Sequence, residues 1–153
     1  MIVARTIFTG ITGHLRYRMC EWVFAAILAS FGYRLLSPGD TFGSSPSYAY
    51  MAKFMSECSW GLVIEAVAGF RLVALGINGS LRIFRPYSPA VRAITAWLSS
   101  AVWFCLFVGF YISNPDATGW GTYGVILAAD VSLAIMIAEE AGHAFRDRWH
   151  AGA

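Results

Sequence analysis

Between Ser59 and Ile77 the chain reads SWGLVIEAVAGFRLVALGI, an apolar run interrupted by Glu65 and Arg71. At about 1.5 Å per residue such a run crosses a hydrocarbon core of roughly 30 Å as one helix. A charge at the bilayer centre costs roughly 2.5–3.5 kcal/mol on insertion scales, so both side chains are expected to face protein or water rather than lipid. Three further apolar runs, about 19–36, 93–113 and 120–138, extend the reading to the whole chain. The expectation is an all-α membrane fold, one polytopic domain over residues 1–153 with four transmembrane helices in an antiparallel bundle.

Composition agrees, since 58% of the 153 residues are hydrophobic and only 13% charged, against roughly half and a quarter in soluble domains. The first crossing, Met19 to Leu36, carries Glu21 and Arg34 near its ends, where both are expected to snorkel to the interfaces. A basic lead-in and small residues at Ala29 and Ser30 raise a cleavable signal peptide, but Tyr33, Arg34 and Leu35 follow with no small-x-small site. Residues 1–18 mix apolar and basic side chains without a period, as a segment lying at an anionic membrane surface would. Ser37-Pro38-Gly39-Asp40 breaks the first helix, and residues 48–55 become helix-compatible again. Asn78-Gly79 is a helix stop before a basic loop, and Asn114-Pro115-Asp116 a tight turn. Cys20, Cys58 and Cys105 have neither CxxC spacing nor a partnered histidine, which leaves soft core packing as their expected role.

Arginine and lysine placement sets orientation. With the N-terminus cytoplasmic, that side holds Arg5, Arg16, Arg18, Arg82, Arg85, Arg92, Arg146 and Arg148, and the other side only Arg34 and Lys53. The positive-inside rule therefore predicts N-in and C-in, with Cys20 on the cytoplasmic side and Cys58 outside. Arg16, Arg18, Arg82, Arg85 and Arg92 are read as contacts to anionic lipid or to a partner, not to nucleic acid.

Depth can be counted along the second and fourth crossings, which run the same way. Arg71 lies 12 residues from Ser59 and Asp130 lies 10 from Trp120, a difference of about 3 Å at helical rise. An ion pair between the two helices is expected, whereas Glu65 is turned about 240° from Arg71 and does not share its face. Gly61, Glu65 and Gly69, and on the fourth crossing Gly124, Ala128 and Ser132, form small-residue stripes that admit close helix contact. Glu65, Arg71 and Asp130 are thus the intramembrane polar candidates: glue that fixes register, an ion path, or a face toward a partner.

Chemistry is harder to name. Glu140-Ala141-Gly142-His143 has the ExxH spacing of a di-iron half-site without the second ExxH and extra glutamates such a centre needs. His14, His143 and His150 lie at or beyond one membrane edge, which does not suit haem ligation, and no GxSxG, Walker or HExxH motif occurs. No catalytic, cofactor-binding or metal-ligating residue is assigned.

Trp60-Gly61, Gly69-Phe70-Arg71-Leu72, Leu75-Gly76-Ile77-Asn78-Gly79, Arg82 and Arg85-Pro86 together resemble a group of small four-helix membrane proteins of tailed bacteriophages and prophages. Pro46-Ser47-Tyr48 before them, and Arg92, Trp103, Asp130 and Ser132 after, carry the resemblance over roughly residues 38–132. It implies a phage-encoded protein of the host inner membrane and no particular activity. The tail from His143 to Ala153 departs from the pattern in being more basic and histidine-bearing. The expected function is non-enzymatic, through assembly in the bilayer as a homo-oligomer or with a phage or host membrane partner, in the manner of a holin. Two alternatives are a virion- or host-interaction protein that docks through its basic cytoplasmic loops, and a small channel or transporter subunit.

Overall fold

The computed structural model describes residues 18–80, 88–116 and 118–151. The surface segment expected over residues 1–18 lies outside them except for Arg18, as do Arg16, Arg82 and Arg85. Helix α1 spans Met19–Leu36, α2 Thr41–Ser44 and α3 Ala49–Ala52, with a 3₁₀ turn at Pro46–Tyr48; α4 spans Glu57–Ser80, α5 Ser88–Ser113 and α6 Gly119–Ala151. Four of these, over Met19–Leu36, Glu57–Gly76, Pro89–Ser113 and Gly119–His143, are long and apolar enough to cross a membrane. The fold is an all-helical bundle.

Helix α1 has the expected bounds, and the other three long helices outrun their expected segments for local reasons. Asn78-Gly79 does not stop α4, which continues to Ser80. Helix α5 starts at Ser88, with Pro89 in its first turn, where a missing N–H costs nothing. Helix α6 passes the expected end at 138 and runs 33 residues, about 50 Å, because Glu139 to Trp149 contains good helix formers and only one Gly.

Helix α1 packs along α4 and α6 along α5, and α4 against α5 joins the two pairs. Buried positions on α1 step by three and four: Glu21, Ala25, Leu28, Gly32 and Leu35. Of these, Leu28 and Leu35 join Ile64 and Ala68 of α4 and Trp103, Leu106 and Phe110 of α5 in the main core. A smaller core joins Ala93 and Ala96 to Ala134 and Ile137. Large apolar side chains such as Leu62, Phe70, Trp97, Phe104 and Val125 point outward, as expected of a surface solvated by lipid. Cys20, Cys58 and Cys105 are exposed as well, so the expected core packing of the thiols is corrected: in an apolar solvent a thiol gains nothing by moving inward.

Close approach occurs where the small-residue reading placed some of it. A Cβ on Gly61 would stand 2.8 Å from Leu36 Cγ, and one on Gly32 3.0 Å from Glu65 Cγ and Ile64 Cγ2. On α6, Gly124 faces Phe107 in the same manner. The stripes are only half used, since Gly69 has nothing opposite it, and Ala128 and Ser132 are exposed.

The connection after α1 folds back into an ordered cap. Asp40 Oδ1 accepts from the Gly43 N–H at 2.7 Å. The Glu57 carboxylate at the head of α4 accepts from the Thr41 and Phe42 N–H groups, both at 3.1 Å, satisfying donors that a helix start leaves open. Tyr50 N–H donates to Ser113 Oγ and Trp60 Nε1 to the Met51 carbonyl, tying α3 to α5 and α4. Burial lifts the Tyr48 phenol above its ordinary pKa, and hydrogen bonding with Tyr123 opposes that shift.

Candidate functional site

The structure brings Arg71 and Asp130 together in the interior, 2% and 0% exposed. Arg71 Nη1 donates to Asp130 Oδ2 at 3.0 Å, and Nη2 stands 2.7 Å from Oδ1, out of line for a second hydrogen bond. Ser99 of α5 donates from Oγ to the same Oδ2 at 2.6 Å. One carboxylate therefore joins α4, α5 and α6. An embedded pair of this kind is held by geometry as much as by charge, because removing either partner strands the other in a low-dielectric interior.

Ser99 carried no marker in the sequence. The first half of the third crossing offers three hydroxyl-bearing candidates, and the other two turn back on their own helix, Thr95 Oγ1 to the Arg92 carbonyl and Ser100 Oγ to the Ala96 carbonyl. A depth count would have distinguished them only with the facing side of α5 already known.

A second charged cluster closes one end of the bundle. Arg92, 3% exposed, donates from Nε to Glu21 Oε2 at 3.0 Å and from Nη2 to Glu21 Oε1 at 2.5 Å, a two-pronged pair. Its Nη1 donates to Glu140 Oε2 at 3.0 Å and Oε1 at 3.2 Å. Arg18 Nη2 lies 3.7 Å from Glu140 Oε1. Burial, then the neighbouring Arg92 charge, lowers the Arg18 pKa from the ordinary arginine value, while Glu21 and Glu140 oppose the shift. Two expectations are thereby corrected. Glu21 does not snorkel outward but is 4% exposed against Arg92, and Arg92 spends its guanidinium on carboxylates rather than on anionic lipid. Both changes follow from starting α5 at Ser88, which puts Arg92 in a helix with a facing side instead of in a loop.

Glu65 is half-buried against Gly32 of α1. It does not join Arg71 and Asp130, in keeping with the angle between them, and no described residue hydrogen-bonds or ion-pairs with its carboxylate. Beyond the Arg71 level, on the side of residues 37–56, the core fills with rings. Trp103 stacks on Tyr123 with centroids 6.2 Å apart, Phe31 meets both, and Phe110 lies 4.5 Å from Tyr123. Trp103 Nε1 is buried without a hydrogen-bond partner among the described residues. The interior polar layer thus lies between an ionic clasp and an aromatic layer.

Glu140 is engaged by Arg92, and His143 one turn on is exposed. Among the described residues, no three His, Cys, Asp or Glu side chains gather where they could hold a metal. No protein-family model, curated protein or solved structure matches the chain.

Proposed function

We propose that this chain is a non-enzymatic inner-membrane protein encoded by a tailed phage or prophage, an antiparallel N-in/C-in bundle that acts by assembling in the bilayer as a holin-like factor. Its phage origin rests on the residue resemblance described above, and its orientation on the eight-to-two arginine and lysine asymmetry. The observation that carries assembly is the division of labour on α6. Asp130 spends its charge inward on Arg71 and Ser99, while Ala128, Ala129 and Ser132 remain exposed beside it, a narrow small-residue face at mid-helix. In hydrocarbon, helices associate through close packing of small residues rather than through a hydrophobic drive, and such a face suits a second copy. Enclosing the charged layer between clasp and rings favours this reading over conduction through a single chain.

The test joins function to that face. Expression of the chain alone in a bacterial host should collapse membrane potential, and Ala128→Cys should give disulfide-linked dimers on mild oxidation with Cys20, Cys58 and Cys105 replaced by Ser. Full membrane expression with normal potential, and Ala128→Cys remaining monomeric, would contradict the proposal.

A further inference from the structure

At the ionic clasp a cleft of about 310 Å³ opens between the starts of α1 and α5 and the later part of α6, lined by Arg18, Glu21, Arg92, Leu133, Met136, Ile137 and Glu140. Its charges cancel, two arginines against two glutamates. Arg92 and Glu21 are buried and paired with each other, and Arg92 also donates to Glu140, so this pair shapes the cleft more than it binds in it. Glu140 keeps half of its side chain exposed, and Arg18 is 18% exposed beside it. The mouth therefore presents one carboxylate and one guanidinium 3.7 Å apart. Below them, Leu133, Met136 and Ile137 precede Glu140 by seven, four and three residues, one apolar stripe of α6 running away from the charged mouth.

We propose that this cleft seats a zwitterionic phospholipid with a primary ammonium headgroup, such as phosphatidylethanolamine. The inference rests on α1, α5 and α6 crossing a membrane and is independent of holin-like activity. A purely anionic headgroup brings no ammonium to the half-exposed Glu140 carboxylate, which already accepts from Arg92, and a simple cation brings no phosphate to Arg18. A phosphate with an ammonium a few ångströms away satisfies both: Arg18 faces the phosphate, the ammonium donates to Glu140, and an acyl chain lies along the Met136 stripe. A quaternary choline has no N–H to donate and forfeits the charge-assisted hydrogen bond. The cluster thereby acquires a role that no arginine-rich surface has, selection for a headgroup of both signs.

The experiment is lipid retention by the intact protein, read by native mass spectrometry after exchange against an equimolar mixture of phosphatidylethanolamine, phosphatidylglycerol and phosphatidylcholine. Wild type should retain phosphatidylethanolamine over phosphatidylcholine by about tenfold, the worth of one charge-assisted hydrogen bond. Glu140→Gln should erase that preference and raise phosphatidylglycerol retention. Arg18→Gln, which leaves the Arg92–Glu21 pair intact, should weaken retention of all three phosphate-bearing lipids while keeping the preference for ethanolamine over choline. Soluble glycerophosphoethanolamine should fail to displace the lipid, because it lacks the chain that the apolar stripe receives. Preferred retention of phosphatidylglycerol by wild type, equal retention of ethanolamine and choline lipids, or displacement by the soluble headgroup would each overturn the proposal.

Discussion

Arg92 and Glu21, 71 residues apart in sequence, meet through two nitrogens and two oxygens with both side chains buried. The pair locks the start of α1 to the start of α5, and Glu140 on the remaining nitrogen adds α6. Arginine is suited to this task because its planar fork reaches two carboxylates at once.

Replacing the fork should therefore be costlier than its place beside a basic loop suggests. Arg92→Gln leaves Glu21 buried and unpaired, an expected loss of about 3–5 kcal/mol. Arg92→Lys keeps the charge but not the geometry and should fall between wild type and Gln. Thermal unfolding in detergent checks the order; equal stability of all three would mean that the clasp carries no weight.

The hydroxyls of α5 should separate sharply. Ser99→Ala removes a hydrogen bond to a buried carboxylate, worth about 1.5–3 kcal/mol. Ser100→Ala removes only a bond to its own helix and should change stability by less than about 0.5 kcal/mol. The same unfolding assay reads both, and a reversed order would place the Asp130 partner elsewhere.

These contrasts show what the sequence reveals. Matched depth of Arg71 and Asp130 was legible because helical rise turns residue counts into ångströms. The same counting applies to Glu21 and Arg92, near the starts of their helices, and to Glu140, just past the expected end of the fourth crossing. It was obscured by reading Arg92 as a loop residue, since Pro86 and Pro89 resemble a break while the latter in fact sits in the first turn. Ser99 was not legible, because choosing among three hydroxyl-bearing residues requires knowing which face of α5 meets α6. The fold-back of residues 41–57 onto Glu57 depends on a three-dimensional return that no period records.

Glycine positions offer an internal control. Gly32→Ala presses a methyl against Glu65 and Ile64 at 3.0 Å and should cost about 1–3 kcal/mol through overpacking. Gly69→Ala meets open space and should be neutral or gain up to about 1 kcal/mol of helix propensity. Folded yield of the two variants in detergent compares them directly.

Orientation is tested at two exposed sites. With the native cysteines replaced by Ser, Ser44→Cys should react with a membrane-impermeant maleimide in spheroplasts, and Arg146→Cys only after permeabilisation. The opposite pattern would invert the topology.

The central claim is that the bundle neutralises its deepest charges within one chain, and a double-mutant cycle on Arg71 and Asp130 tests it most directly. Arg71→Leu and Asp130→Leu should each lower stability in detergent by about 3–5 kcal/mol, and the double variant should recover much of the loss, because two apolar side chains suit the site better than one stranded charge. Losses that simply add would contradict the pair and place each charge in a separate role.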